Sequence, residues 1–127
     1  MSTPTNAYGV TSDSSPVASL TIERRTPGPK DVSIDIEFCG ICHSDIHQAH
    51  NDWNNTRHYP LVPGHEIVGR VTSIGTDVRQ FKVGERVSVG CMVNSCRSCG
   101  SCSDGDNQYC EKFKYLKSSN DLLKLKK

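Results

Sequence analysis

Cys96-Arg-Ser-Cys99-Gly-Ser-Cys102, followed by seven residues and Cys110, places four thiols in a short stretch rich in Gly, Ser, Asp and Asn. Three of these cysteines recur at every third position, and no core-packing pattern accounts for that spacing in a polar segment. Zinc prefers tetrahedral thiolate sets, and a closed shell of four thiolates is typical of a structural site. The spacing therefore predicts a structural metal ion held by Cys96, Cys99, Cys102 and Cys110.

Two other interpretations of the four cysteines remain open. Bacterial ferredoxins share the C-x2-C-x2-C step, but they continue with C-x3-C-P around an iron–sulfur cluster. Here the last interval is seven residues, and Glu111 rather than proline follows Cys110. The second alternative is four thiols without a metal, which the density of cysteine in a polar run disfavours. Zinc is the preferred interpretation.

A second group of metal-binding residue types lies earlier in the chain. It consists of Cys39-Gly-Ile-Cys42-His-Ser-Asp-Ile-His47 and, further on, Gly64-His65-Glu66. Cys42 and His65 each stand beside a strand pattern and could bind a second zinc ion. Carboxylates beside such ligands orient the histidine and tune the metal. Taken singly, a histidine of this kind is more often a hydrogen-bonded surface residue, and Cys39 with Cys42 could form a redox pair, although no βαβ context supports one.

The rest of the chain favours short strands separated by Gly/Pro turns, with little helix. Alternating apolar residues and strand composition predict four strands, of which the second is expected to be half-buried. A short helix is also predicted, with Ser44 as a possible N-cap. The predicted strands are 17–22, 31–38, 67–74 and 83–89, the helix is 44–50, and residues 1–16 are expected to be loose. This pattern suggests a mainly β fold, either a small barrel or a sandwich. No G-x-G-x-x-G motif is present, so no dinucleotide-binding unit is predicted.

Composition excludes several classes of partner. The 127 residues suit one domain, and a formal net charge of +1 gives no reason to expect nucleic acid or an acidic membrane. The charge is uneven, because residues 111–127 carry six lysines against two acidic residues, a net +4, which leaves −3 for residues 1–110. Seven cysteines and no secretory signal pattern favour a reducing compartment, hence the cytoplasm. Cys39 and Cys91 are interpreted as small buried residues without a metal-binding role.

Taken together, the motifs resemble the zinc-dependent alcohol dehydrogenases of the medium-chain dehydrogenase/reductase superfamily. The resemblance rests on CGICHSDIH, YPLVPGHEIVGRVTSIG, VGERVSVG and SCRSCGSC, and covers about residues 7–110. It is strongest to the cinnamyl-alcohol-dehydrogenase-like branch that prefers NADP. It implies a partial GroES-like barrel at residues 17–110, with a zinc-binding lobe at 91–110, and a divergent Lys-rich tail at 111–127.

The resemblance also implies a role for each motif residue. Cys42 and His65 are expected to be two ligands of a catalytic zinc. Glu66 is expected to be the carboxylate next to them, and Asp45 the partner that fixes the tautomer of His65. Ser44 and His47 match a proton relay, His43 a position near the cofactor phosphates, and Trp53 a wall of the substrate pocket. Cys96, Cys99, Cys102 and Cys110 match the family's structural zinc site.

The sequence departs from this family after Cys110. The family's third catalytic cysteine, its Rossmann domain and its final catalytic-domain segment have no counterpart here, and the tail becomes rich in Lys and Leu. We therefore expect the N-terminal catalytic segment of an NADP-linked enzyme for small alcohols and aldehydes. We expect it to be inactive alone and to form homo-oligomers only with the missing domain. A zinc-binding relic or interaction module without catalysis is the alternative.

Overall fold

The computed structural model describes residues 2–54, 58–112 and 114–115, and in these ranges the protein is mainly β with two short helices. The strands are β1 (Ser2–Gly9), β2 (Ala18–Arg25), β3 (Val32–Cys39), β4 (Ile67–Ile74), β5 (Arg86–Val89), β6 (Met92–Asn94) and β7 (Lys114–Tyr115). The helices are α1 (His43–Ala49) and α2 (Gly100–Ser103), and a 3-10 turn spans Asn107–Tyr109. The fold class predicted from the sequence is therefore confirmed. No described helix has the length and hydropathy needed to cross a membrane.

Every pair formed by the described strands is antiparallel. The strands form three sheets, β1-β2, β3-β4-β5 and β6-β7. In the central sheet Cys39 at the end of β3 faces Ile67 at the start of β4. This register places the segment after β3 beside the segment before β4, at one end of the sheet. The two pieces of sequence that carry the CGICH and GHE motifs are therefore neighbours in space.

Two small clusters form the core. Val10, Ala49 and Leu61 make one, with Tyr59 packed against it. Val10 and Leu61 also exchange two backbone hydrogen bonds of 2.9 Å, and the Tyr59 hydroxyl donates to the Ala49 carbonyl at 3.2 Å. These contacts fix α1 against the segment that leads to β4. The second cluster is Ile67 and Val89, with Ile34 and Val93 packed against it, and it holds the central sheet together.

Strand β1 corrects the expectation that residues 1–16 are loose. Its side chains are mostly exposed, so no alternation of apolar and polar residues marks it in the sequence. Pairing alone makes it a strand, since its residues align with β2 from Ser2 opposite Arg25 to Gly9 opposite Ala18. Of the predicted tail, most residues after 112 lie outside the described ranges.

Strand β3 differs from the half-buried strand predicted for residues 31–38. Val32 is buried, but Ile36 and Phe38 are 53% and 69% exposed. A register shift between Ile36 and Phe38 places an extra residue on β3. Every residue from Asp35 to Cys39 is exposed, so the described residues cover neither face of this half of the strand. The apolar pattern therefore identified the strand correctly and its buried face only in part.

Strand β5 is shorter than the predicted 83–89. Gly84 has a φ of +86°, which glycine adopts without strain, so the chain turns there instead of continuing the strand. The Glu85 amide donates to the Lys82 carbonyl, and the Lys82 amide donates to the Glu85 carboxylate at 2.9 Å, which closes the turn.

Helix α1 begins one residue before the predicted start, and its N-cap is Cys42 rather than Ser44. Asp45 at the third helical position accepts a hydrogen bond of 3.0 Å from the Cys42 amide. This is the reciprocal arrangement of a capping box, which satisfies an amide that would otherwise be unpaired. Ser44 thus lies inside the first turn.

Asp31 is the buried carboxylate that fixes the turn between β2 and β3. It is 7% exposed, accepts a hydrogen bond of 2.7 Å from the Gly28 amide and pairs with the Arg25 guanidinium. The hydrogen bond that the Arg25 side chain donates to Asp31 raises the pKa of Arg25. The Asp31 carbonyl accepts from the Gly75 amide at 2.8 Å, so the same residue joins the turn to the end of β4.

We predict that Asp31→Ala lowers the free energy of unfolding by about 1–3 kcal/mol, because it leaves the Gly28 amide without its acceptor. Urea denaturation followed by circular dichroism measures the change. Asp35→Ala is the matched control, since Asp35 is an exposed acid on the strand that follows this turn and should change stability by no more than about 0.5 kcal/mol. Equal effects of the two substitutions would contradict the role given to Asp31.

Candidate metal centres

The four cysteines of the C-terminal lobe converge on one point. Their sulfur atoms all lie within 4.8 Å of one another, and those of Cys96 and Cys102 are 4.0 Å apart. A tetrahedral ion with metal–sulfur bonds near 2.3 Å needs sulfur atoms about 3.8 Å apart. An iron–sulfur cluster carries its cysteines on several iron atoms and so holds them further apart. The geometry therefore fits a single four-coordinate ion.

Backbone amides donate hydrogen bonds to two of these sulfurs. Cys96 Sγ accepts from the amides of Ser98 at 3.5 Å and Cys99 at 3.3 Å. Cys110 Sγ accepts from the amides of Cys96 at 3.2 Å and Lys112 at 3.3 Å. Arg97 makes the first pair possible, because its φ of 60° turns the chain back toward Cys96.

The thiols of the lobe differ in acidity. The backbone amide of Ser98, followed by its side chain and the Cys99 amide, lowers the pKa of Cys96 to about 6. Burial raises the pKa of Cys102 to about 11. A cation must displace the protons from all four sulfurs, so the affinity of the lobe for a metal should fall as the pH falls.

The second group lies where β3 ends and β4 begins. One donor atom from each of Cys42, His65 and Glu66 falls within 4.8 Å of the other two. His65 Nε2 and the nearer oxygen of Glu66 are 4.0 Å apart. A sulfur, an imidazole nitrogen and a carboxylate oxygen form a donor set that suits zinc.

Asp45 holds two of these residues in place. Its Oδ1 lies 3.1 Å from His65 Nδ1, and its Oδ2 accepts from the Cys42 amide at 3.0 Å. A carboxylate on Nδ1 fixes the tautomer that leaves Nε2 free as a ligand. One side chain therefore caps α1 and aims His65 at the group.

Charge within this group favours the exchange of a proton for a cation. Hydrogen bonding to Ser44, whose Oγ is 3.5 Å from Cys42 Sγ, and then to His65 lowers the pKa of Cys42. Burial acts to lower the pKa of His65, but the hydrogen bond to Cys42 and the charge of Asp45 outweigh it and raise that pKa. A metal ion bound here needs a thiolate on Cys42 and an unprotonated Nε2 on His65, so its binding would release protons.

A third cluster lies along α1 and the turn that follows it. The ring centroids of His43 and His47 are 4.6 Å apart, and those of His47 and Trp53 are 5.4 Å apart. His47 Nδ1 lies 2.7 Å from the Asp52 carboxylate. Trp53 is 50% exposed, so it borders the histidines from the solvent side.

Asp52 is a site residue that sequence reasoning missed. The chain after α1 turns back through Asn51, which has a φ of 58°, and the Asp52 amide donates to the His47 carbonyl at 3.0 Å. An acidic residue five positions after a histidine carries no signal of its own. The left-handed turn that brings the two together was not evident from the sequence.

Cys39 and Cys91 were interpreted from the sequence as buried, and that interpretation is wrong. Both are exposed, and neither belongs to a metal-binding group within the described residues. Cys39 lies beyond the register shift of β3, with its sulfur beside Gly64. Partial burial raises the pKa of its thiol.

The alcohol dehydrogenase GroES-like domain matches residues 28–120. The chain belongs to this family. It is 53% identical over 105 residues to the NADP-dependent alcohol dehydrogenase C of Mycobacterium tuberculosis, covering 83% of this chain and 30% of that protein. The resemblance stated from the motifs, including its cinnamyl-alcohol-dehydrogenase-like branch, is thus confirmed.

Solved structures agree with this assignment. A cinnamyl alcohol dehydrogenase from Sorghum bicolor has a TM-score of 0.80 at 41% identity, with 90% of this chain and 32% of that chain covered. CAD from Helicobacter pylori, complexed with NADP(H), has a TM-score of 0.81 at 40% identity, with 91% and 33% covered. The chain therefore spans about a third of the length of the relatives that it matches.

We predict that Cys110→Ser removes about one metal equivalent per chain and lowers the free energy of unfolding by roughly 4 kcal/mol or more, the range in which loss of a metal site falls. Cys110 is 1% exposed and closes the donor set. Metal analysis with chemical denaturation measures both effects. Cys91→Ser is the control, because Cys91 is exposed and lies outside the lobe's donor set. Unchanged metal content in Cys110→Ser would rule out the four-cysteine site.

We predict that Asp52→Ala shifts the His47 tautomer toward the Nε2-protonated form, because the carboxylate that accepts from Nδ1–H is lost. Nitrogen-15 chemical shifts of the imidazole report the tautomer directly. Asp77→Ala, which removes an exposed acid far along the chain from α1, serves as the control. A His47 spectrum that Asp52→Ala leaves unaltered would show that the contact does not set the tautomer.

Proposed function

We propose that the chain is the N-terminal part of the catalytic domain of a zinc-dependent, NADP-linked alcohol dehydrogenase that interconverts primary alcohols and aldehydes. The observation that carries this proposal is the convergence of Cys42, His65 and Glu66, with Asp45 bonded to His65. Membership of the family and the separate four-cysteine lobe support it. NADP is proposed because the relatives include enzymes described as NADP-dependent.

We assign zinc to both groups of donors. Cys96, Cys99, Cys102 and Cys110 would hold the structural ion. Cys42 and His65 would hold the catalytic ion, and Glu66 lies close enough to act as a third ligand from this chain. A catalytic zinc supplies Lewis acidity that lowers the pKa of an alcohol. The role of Asp45 is to keep His65 Nε2 directed at the ion, since it holds Nδ1.

The remaining site residues would handle the proton and the cofactor. Ser44, whose Oγ lies 3.5 Å from Cys42 Sγ, would accept the proton of the alcohol. His47, which is partly exposed and paired with Asp52, would release it to water. We assign His43 to the cofactor phosphates and Trp53 to the wall of the substrate pocket, as the family resemblance implies.

We propose that residues 1–127 do not turn over substrate by themselves. The chain spans about 30% of its curated relatives. The described residues form antiparallel sheets only and contain no parallel nucleotide-binding sheet. Free cysteines fit a cytoplasmic protein. Membership of the alcohol dehydrogenase family supports small alcohols and aldehydes as the substrates of the whole enzyme. The proposed catalytic segment is 17–110, with 1–16 and 111–127 as flanking segments.

The alternative is a zinc-binding interaction module without catalysis. Exposed apolar side chains on and after β3 favour it, because such surfaces in soluble proteins mark contacts with other polypeptides. Phe38 is 69% exposed and Ile41 is 90% exposed. A dehydrogenase segment and an interaction module share the lobe zinc, so the second metal group distinguishes them.

The test is zinc stoichiometry combined with a cofactor assay on the 127-residue chain. We expect one tightly held zinc and a second, more weakly bound zinc that His65→Gln removes. His58 is an exposed histidine outside both metal-binding groups, so His58→Gln is the control and should leave the second zinc in place. We also expect no alcohol-dependent formation of NADPH. Failure to bind a second zinc would favour the interaction module. Iron in place of zinc would overturn the metal assignment. Formation of NADPH would overturn the proposal that residues 1–127 do not turn over substrate.

A further inference from the structure

Gly40 lies directly beneath the side chain of Glu66. A Cβ atom placed on Gly40 would fall 2.3 Å from Glu66 Oε2, 3.1 Å from its Cβ and 3.4 Å from its Cδ. The first distance is far shorter than a van der Waals contact. The carboxylate of Glu66 therefore occupies the volume that any side chain at position 40 would need.

Backbone conformation does not explain the glycine at this position. The φ of Gly40 lies outside the left-handed region that favours glycine, unlike those of Gly64, Gly84 and Gly105. Other residues could adopt the same backbone angles. What requires a glycine here is the close approach of the carboxylate.

The two segments have little freedom to move apart. The Gly40 amide donates to the Glu66 carbonyl at 2.8 Å. The adjoining residues, Cys39 and Ile67, are paired partners in the central sheet. Relieving the overlap by separating the backbones would break this hydrogen bond and disturb the pairing. Movement of the Glu66 side chain is the easier response, because that side chain is 55% exposed and can turn toward solvent.

With Oε2 above Gly40, the other carboxylate oxygen points toward the donors. Glu66 Oε1 lies 4.0 Å from His65 Nε2, and the Glu66 carboxylate provides one oxygen to the group formed with Cys42. The space left by the absent side chain thus determines which way the carboxylate faces. Filling that space removes the inward orientation and leaves the outward one.

We propose that Gly40 is a positioning residue that keeps the Glu66 carboxylate beside Cys42 and His65 as the third ligand this chain offers to the metal. The inference rests on the proposed function, since it requires a zinc ion at this group. Gly40 acts only through Glu66 and makes no contact with the ion. A side chain at position 40 turns Glu66 outward and leaves two ligands in place of three.

The experiment measures Zn²⁺ and Co²⁺ binding to the full 127-residue chain whose four-cysteine lobe is already loaded with zinc. The chains compared are wild type, Gly40→Ala, Glu66→Ala, the double variant and Gly90→Ala. Gly90 is the matched control, because a Cβ there meets no atom within 4 Å and its φ also lies outside the left-handed region. The Co²⁺ absorption spectrum reports the ligand set of the second group, and retention of the lobe zinc reports folding.

We expect Gly40→Ala to weaken the second ion about 10–100-fold, in the range found when groups that orient ligands are changed. Its Co²⁺ spectrum should match that of Glu66→Ala. The double variant should bind no more weakly than Glu66→Ala alone, because the overlap with Oε2 is then gone. The remaining approach of 3.1 Å to the Cβ of residue 66 needs a shift of only a few tenths of an ångström. The double variant also provides a folded comparison if Gly40→Ala alone loses the lobe zinc.

Three outcomes would overturn the inference. Gly40→Ala could bind the second ion as well as wild type and Gly90→Ala do. The double variant could bind more weakly than Glu66→Ala, which would mean that Gly40 acts on the loop and not through the carboxylate. Finally, wild type could bind no second ion, in which case the proposed metal centre fails together with the role of Gly40. Binding by wild type separates the first two results from the third.

Discussion

The antiparallel pairing of β3 with β4 is the constraint on which the second metal-binding group depends. Cys39 faces Ile67 at the end of the pair, and the Gly40 amide bonds to the Glu66 carbonyl just beyond it. A slip of one residue would reverse the faces of β4 and would separate the donors on either side of it. Burial of Ile67 and Val71 opposes such a slip, because their side chains would move to the exposed face. Hydrophobic register in the sheet thus sets the geometry of a polar site at its edge.

The distance along the chain between the ligands explains which of the two metal-binding groups could be predicted from the sequence. The four-cysteine lobe is assembled within fifteen residues, so its spacing alone predicts the ligand set. In the second group His65 lies 23 residues after Cys42, and non-local contacts, chiefly the pairing of β3 with β4, bring them together. The residues of that group were predicted through a family resemblance. Their contacts, including the two bonds made by Asp45, required the structure.

The errors of prediction have physical causes that can be named. Strand β4 was predicted with its observed bounds because it alternates buried and exposed residues. Strand β1 was missed because backbone pairing with β2 makes it, while its side chains remain in solvent. Phe38 and Cys39 are exposed because no described element covers either face of β3 from Asp35 onward, which an alternating apolar pattern does not reveal. Asp52 was missed because its contact with His47 depends on a left-handed turn at Asn51.

Charge balance distinguishes the two groups of donors chemically. Four thiolates exceed the charge of a divalent ion and fill its coordination shell, so an ion in the lobe keeps little Lewis acidity. One thiolate, one neutral imidazole and one carboxylate only balance that charge, and they approach from two adjacent segments of chain. If Glu66 turned outward, the ion would carry a net positive charge and a stronger pull on an oxygen ligand. At the edge of the central sheet, the orientation that Gly40 gives to the Glu66 carboxylate would therefore decide how much of the charge of a bound ion stays unbalanced.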